Sequence, residues 1–277
     1  MKRKSLTRKG VTLSYLDSEG DGPAVLFLHG LAGQASEWAE TMERLRGDYR
    51  TIAIDQRGHG QSSQGTEDFS RGAFVEDAAE LLTALGVAPA VVVGQSMGGV
   101  NAIVLAATHP ELVRALVLVE ADARMAPGIT DSIARWMGSW PLPFASRGDA
   151  IAFFGGDNLY GRTWADILVP SGDGLRPLFR PEDMLASVAD METTDWSEEW
   201  ASIRCPTLLV AGSEGLARRD EMKRMGDAPH CEYIEIPGAG HDLHLEMADE
   251  WHRVLSDFLA KLEFGDIGRA PLVAHPL

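Results

Sequence analysis

At 277 residues the chain is long for one domain, though α/β folds commonly reach that size undivided. Its apolar content of 45% suffices for a sheet core covered on both faces, and 25 basic against 41 acidic residues argue against nucleic acid or an anionic membrane as partner. Two cysteines, Cys205 and Cys231, make neither a disulfide framework nor a metal-like cluster.

The basic start Met1-Lys2-Arg3-Lys4 is followed by no apolar h-region, and no apolar run approaches membrane-spanning length. The expectation is a soluble protein of a reducing, cytoplasmic compartment. Residues 6–17 alternate as an edge strand, with Val11, Leu13 and Tyr15 on one face. Gly20 to Pro23 is a turn. Ala24 to Leu28 is a continuous apolar run, as in an interior parallel strand, and it ends in His29-Gly30-Leu31-Ala32-Gly33. Glu37 to Leu45 reads as a short helix. Tyr49 to Ile54 is the next buried strand and closes on Asp55-Gln56-Arg57-Gly58-His59-Gly60-Gln61-Ser62. Phe74, Val75, Ala78, Leu81, Leu82 and Leu85 then recur at helical spacing.

The next stretch organises the chain. Val91-Val92-Val93 reads as a buried strand, Gly94-Gln95-Ser96-Met97-Gly98 follows at once, and residues 100–107 have helix-compatible composition. A strand that turns abruptly into a helix strains the residue at the turn, and only glycine fits where the two segments approach. The hydroxyl of Ser96 is thereby lifted clear of the sheet as a candidate nucleophile. Met97 leaves its N–H free at the helix N-terminus as a candidate oxyanion donor.

Leu112 to Val119 is another buried strand, ending in Glu120-Ala121-Asp122. From about 123 to 195 the chain turns to Trp, Phe, Met, Pro and Gly, with short helical pieces and no buried strand. Ile203 to Ala211 restores the strand signal. Cys231 to Ile236 is the last strand, followed by Pro237-Gly238-Ala239-Gly240-His241-Asp242 and an amphipathic helix over 246–262. The tail after Phe264 reads as loosely attached, and there is no internal repeat. Strands alternating with helices predict an α/β, doubly wound, mostly parallel sheet over 1–122 and 200–277, which binds ligands at its strands' C-terminal ends. The block 123–199 is then a helical cap above that edge.

Four landmarks occur in order: His29-Gly30, Asp55-x-x-Gly58-x-Gly60-x-Ser62, Gly94-Gln95-Ser96-Met97-Gly98 and Gly238-Ala239-Gly240-His241. Together they resemble the α/β-hydrolase fold family over nearly the whole chain. The resemblance implies a serine nucleophile, a histidine base and an acid, with no cofactor and no metal, and leaves the substrate open. His241 suits the base: it lies on a glycine-rich loop and titrates near neutrality when unperturbed. The family places its second oxyanion donor after the His-Gly pair, which here is the backbone N–H of Leu31.

The acid departs from the family pattern. Relatives usually carry it as Gly-x-x-Asp, whereas the corresponding residues here are Gly212-Ser213-Glu214-Gly215. Some relatives, haloalkane dehalogenases among them, carry it after the preceding strand, and that position is Glu120. Glu214 and Asp122 are the alternatives. Dehalogenases need an aspartate nucleophile, so Ser96 points to acyl transfer instead of halide displacement.

Trp136, Trp140, Phe144, Phe153, Phe154 and Trp164 are cap aromatics, some of which should face an apolar acyl or alcohol pocket; His29 and Gln95 are further possible walls. His29 and His59 otherwise read as structural turn residues, and His244 and His252 as helix-surface residues. Arg124, Arg135 and Arg147 could meet a substrate carboxylate, although surface exposure is expected of each. The expected function is hydrolysis of a small carboxylic ester or lactone through an acyl-enzyme. C–C bond or amide hydrolysis, perhydrolase or haloperoxidase chemistry, and a non-catalytic ligand-binding relative are the competing readings. The expected partner is a small-molecule substrate.

Overall fold

The computed structural model describes residues 1–264. In chain order the strands and helices are β1 (Lys2–Arg8), β2 (Val11–Asp17), β3 (Ala24–Leu28), α1 (Ala39–Arg44), β4 (Arg50–Asp55), α2 (Arg71–Ala84), β5 (Ala90–Gln95), α3 (Met97–Thr108) and β6 (Val113–Val119). The segment after β6 holds α4 (Ile129–Gly138), α5 (Arg147–Phe153), α6 (Leu159–Ala165), the hairpin β7 (Leu168–Ser171) and β8 (Gly174–Pro177), and α7 (Pro181–Thr193). The chain then returns through α8 (Ser197–Ser202), β9 (Thr207–Gly212), α9 (Arg219–Gly226), β10 (Cys231–Ile236), α10 (Leu243–Glu246) and α11 (Ala248–Phe264). The tail after Phe264 lies outside the described residues.

The main sheet runs β1-β2-β4-β3-β5-β6-β9-β10; β1–β2 and β2–β4 are antiparallel and every later pair is parallel. Alternation within the apolar runs feeds both faces. Leu26, Leu28 and Val92 point into the layer that α2 and α3 cover. Val25, Phe27 and Val93 point to the opposite layer, where Trp38, Trp251 and Phe258 pack. Such strands read as unbroken hydrophobic runs because neither face meets water.

The expected strand over 6–17 is instead a hairpin. The turn falls at Lys9-Gly10, both at positive φ (44° and 83°), and pairs Lys2 with Asp17 through Arg8 with Val11. Hydropathy misses β1 because this outer strand is dominated by charged residues, a pattern that discourages edge-to-edge association. The 123–199 segment also holds the short β7–β8 pair, whose residues are mostly exposed or half-buried. No helix among the described residues is long and apolar enough to cross a membrane.

The 123–199 segment meets the helices on the main sheet through α7. Val188 and Met191 pack with Phe74, Met97 and Val100, at the start of the helix that follows Ser96. A buried polar chain runs beneath that contact. Arg71, 1% exposed, donates to the Ser187 carbonyl and, at 2.7 Å, to Asn101 Oδ1; Asn101 Nδ2 donates to Gln56 Oε1 at 2.6 Å; Gln56 Nε2 donates to the His29 carbonyl at 2.6 Å. The chain of donors thus links α7 to the loop that carries Leu31.

Candidate active site

At the C-terminal end of β5 the backbone turns at Ser96 with φ 51° and ψ −117°, a conformation costly for any residue with a side chain. A Cβ on Gly94 would run into the Gly98 carbonyl, and one on Gly98 into the Leu28 and His29 carbonyls. These two glycines let strand, turn and helix cross at backbone contact. The Ser96 N–H donates to the Val119 carbonyl at 3.0 Å, which ties the turn to β6. The Leu31 and Met97 N–H groups make no turn or loop hydrogen bond among the described residues. Both residues border the cavity in front of Ser96.

Glu120 follows β6 directly and also sits at positive φ (47°). That bend sends its carboxylate, 2% exposed, across to the loop after β9. Oε1 accepts the Gly212 N–H at 2.8 Å; Oε2 accepts the N–H groups of Leu216 at 2.8 Å and Ala217 at 3.1 Å. His241 Nδ1 lies 3.2 Å from the same Oε2. The tautomer that donates from Nδ1 leaves Nε2 free to accept a proton. Burial alone would disfavour the imidazolium, but the Glu120 hydrogen bond and the charges of Asp242 and Glu246 outweigh it, and the His241 pKa lies above the ordinary 6.5.

The histidine loop is pinned on both sides. Glu246 accepts the N–H groups of Gly240 (2.7 Å) and Asp242 (3.0 Å), while Gln95 Nε2 donates to the His241 carbonyl at 3.1 Å. The two alternative acids lie elsewhere. Glu214 is exposed. Asp122 accepts the N–H groups of Arg124 and Arg218 at 3.1 and 2.8 Å, and burial raises its pKa.

The cavity that opens on Ser96 and His241 has a volume of about 370 Å3. Of the expected walls, Gln95, Trp136 and Trp164 border it. Trp140, Phe144 and Phe154 do not; they form the aromatic interior of the 123–199 segment with Phe179 and Met184. Phe153 is 44% exposed and His29 is fully buried, its Nε2 accepting the Gln56 N–H at 2.9 Å. Sequence reasoning missed Ile129 and Ile133, which share one face of α4 with Trp136, and Val188 and Met191 on α7. Their spacings of four and three residues were the available signal.

His244 and His252 are corrections as well. They are 2% and 6% exposed, and His244 stacks on Trp38 with ring centroids 4.3 Å apart. Arg124 and Arg147 pair with Asp195 and Asp166, Arg135 bonds Ser132 Oγ, and none of the three borders the cavity. Among the described residues no group of three or more His, Cys, Asp or Glu side chains converges as metal ligands would.

Sheet order, elbow and histidine loop together define an α/β hydrolase. A family profile described as alpha/beta hydrolase fold matches residues 23–191, and the chain belongs to that family. Among curated proteins it is 26% identical to a 2-(acetamidomethylene)succinate hydrolase of Mesorhizobium japonicum, over 80% of this chain and 83% of that one. It is 25% identical to 3-oxoadipate enol-lactonase 1 of Acinetobacter baylyi, over 92% and 96%. Its fold matches a crystal structure of E-2-(acetamidomethylene)succinate hydrolase with a TM-score of 0.83 over 94% of this chain and 99% of that one, at 24% identity.

Proposed function

We propose that the protein is a cofactor-free serine hydrolase that cleaves a small carboxylic ester or lactone through an acyl-enzyme. Ser96 is the nucleophile, His241 the general base and Glu120 the acid; Leu31 and Met97 supply the oxyanion hole. The observation that carries this reading is the hydrogen bond between His241 Nδ1 and the Glu120 carboxylate, set behind a strained serine at a strand-to-helix turn.

In the first half-reaction Ser96 Oγ attacks the substrate carbonyl while Nε2 of His241 takes the hydroxyl proton. The carbonyl oxygen gains the negative charge and meets the Leu31 and Met97 N–H groups, each worth about 3 kcal/mol in such a role. Glu120 stabilises the imidazolium without taking its proton. As the tetrahedral adduct collapses, the proton passes from Nε2 to the leaving oxygen and the C–O bond breaks. Water, deprotonated by the same nitrogen, then attacks the Ser96 ester, and the acid leaves with the serine regenerated. The segment 123–199 acts as a lid that supplies apolar walls, and the reaction needs no further macromolecular partner.

Relatives named for an acetamidomethylene compound and for a carbamate favour amide-type cleavage as a second reading. A fluorophosphonate should label wild type at Ser96 and leave Ser96→Ala unlabelled. A panel of p-nitrophenyl esters of rising chain length, run beside the matching p-nitroanilides, should show ester turnover that Ser96→Ala lowers by several orders of magnitude. Labelling that persists in the alanine variant would overturn the assignment of the nucleophile, and turnover of anilides alone would install the second reading.

A further inference from the structure

The cavity is apolar apart from a few groups, and one of these is a carboxylate that the proposed hydrolysis does not use. Asp242 follows His241 directly and borders the cavity, half-buried. Among the described residues it forms no ion pair. Its Oδ1 takes Gln95 Nε2 at 3.1 Å and its Oδ2 takes Trp164 Nε1 at 3.0 Å, both neutral donors. Each oxygen is oriented and the negative charge is left uncompensated. Holding an unpaired charge beside apolar surface is unfavourable unless something cationic meets it.

The surroundings reinforce the sign. Glu246 lies beneath the same loop and adds negative potential at His241. Glu37 adds no charge, because burial and Asp242 raise its pKa well above the carboxylate range and keep it protonated. Tyr160 borders the cavity with its hydroxyl protonated, its pKa raised by burial and by Asp242 and Glu246. Among the described residues, the cation on the cavity wall other than His241 is Arg218, and its guanidinium is engaged by the exposed Asp220 at 3.1 Å. Aromatic rings stand near the carboxylate, the Trp164 indole meeting it through its N–H edge. Trp164 packs edge-on against Trp136 with centroids 5.5 Å apart and lies 6.4 Å from Tyr160. A carboxylate flanked by indole and phenol rings in a largely apolar pocket is suited to an amine or quaternary ammonium group.

We propose that Asp242 is a specificity-determining residue, and that the substrate of the proposed hydrolysis carries a cationic amine or ammonium group seated against Asp242 and the Trp164, Trp136 and Tyr160 rings. The inference rests on the serine hydrolase reading for its chemistry, whereas the cation site itself is independent of turnover. A dicarboxylate such as a succinate would meet repulsion here, which separates this pocket from what the name of the Mesorhizobium relative describes.

Calorimetry on Ser96→Ala protein, with hexyltrimethylammonium, hexanol and hexanoate as probes, tests the site without catalysis. The cation should bind roughly tenfold tighter than hexanol, and hexanoate more weakly than either. Asp242→Asn removes the charge while its single amide oxygen still accepts from one of the two donors, Gln95 Nε2 or Trp164 Nε1, so in that background the cation and hexanol should converge. On wild type, acetylcholine should exceed its uncharged isostere 3,3-dimethylbutyl acetate in kcat/KM by a similar factor, a comparison that needs no variant. Equal binding of cation and alcohol, equal rates for the two acetates, or a preference that survives in Asp242→Asn would overturn the inference. Failure of the hydrolase reading is seen separately, as absence of fluorophosphonate labelling at Ser96.

Discussion

The Glu120 carboxylate occupies the space that any side chain on residue 215 would need. A Cβ built on Gly215 would fall on the carboxyl carbon and both carboxylate oxygens. Residue 215 is where the family pattern usually carries its acid, so two routes to the same place are mutually exclusive, and the carboxylate that stands there comes from β6. The glycine is therefore a consequence of Glu120 instead of a lost function. Gly215→Asp alone should lower both stability and activity, because it drives a second carboxylate into a filled site. Glu120→Gly alone relieves the positive φ but leaves three N–H groups and His241 without their acceptor, and turnover should fall by about 10⁴. The double variant should recover at least tenfold over either single one. Additive losses in that cycle would show that the two carboxylates do not replace one another.

The second prediction concerns pH. Only neutral His241 can accept the serine proton, and its pKa is raised in the folded protein by Glu120, Asp242 and Glu246 against the opposing effect of burial. On substrates that do not themselves titrate, kcat/KM should climb with pH and level off at an apparent pKa above the unperturbed 6.5. Asp242→Asn removes one of the charges that hold the imidazolium, so its profile should shift toward lower pH. A profile that shifts upward, or stays flat from acid to alkaline solution, would assign the base elsewhere.

Legibility in the sequence followed the kind of constraint each residue obeys. The runs at 24–28 and 91–93 announce interior strands because both faces are buried, and the turn at Ser96 announces itself because backbone crowding admits only glycine at 94 and 98. Glu120 stood out through an absence, the glycine at 215. The first strand left no hydrophobic trace, since an edge strand is built from residues that water tolerates. The cavity walls were illegible for another reason. Trp140 and Phe154 look as suitable as Trp136 and Trp164, and which face of a helix in the 123–199 segment meets the cavity is set by how the helices dock, a tertiary property with no local signature. His244 was misplaced likewise: it is buried by stacking on Trp38, a residue some two hundred positions earlier in the chain.

The last prediction concerns acid stability. His59 is fully buried, and desolvation, with the neighbouring His29 adding to it, lowers its pKa to about 3. Its ring lies 5.0 Å from that of His29, itself lowered to about 4 by burial. In the unfolded chain both would titrate near 6.5. Below that value the unfolded state binds protons that the folded state refuses, so these histidines contribute stability that is full above 6.5 and is lost as pH falls toward their folded values. His244 and His252, each lowered to about 4, act in the same sense. Glu37, Asp77 and Asp122, raised by burial, and His241, raised by its acidic neighbours, act in the opposite sense over part of the range, while His230, lowered by burial, acts with the four histidines. Stability should therefore fall steeply on acidification from about pH 6.5 to 4, by up to about 1.4 kcal/mol per pH unit for each histidine. His59 Nδ1 donates to the Arg57 carbonyl at 2.9 Å, a bond that a glutamine amide can supply without titrating. Denaturant unfolding of His59→Gln over that pH range should show a slope shallower by about one proton than wild type. An unchanged slope would mean that His59 is charged in the folded protein, with a partner its buried setting does not provide.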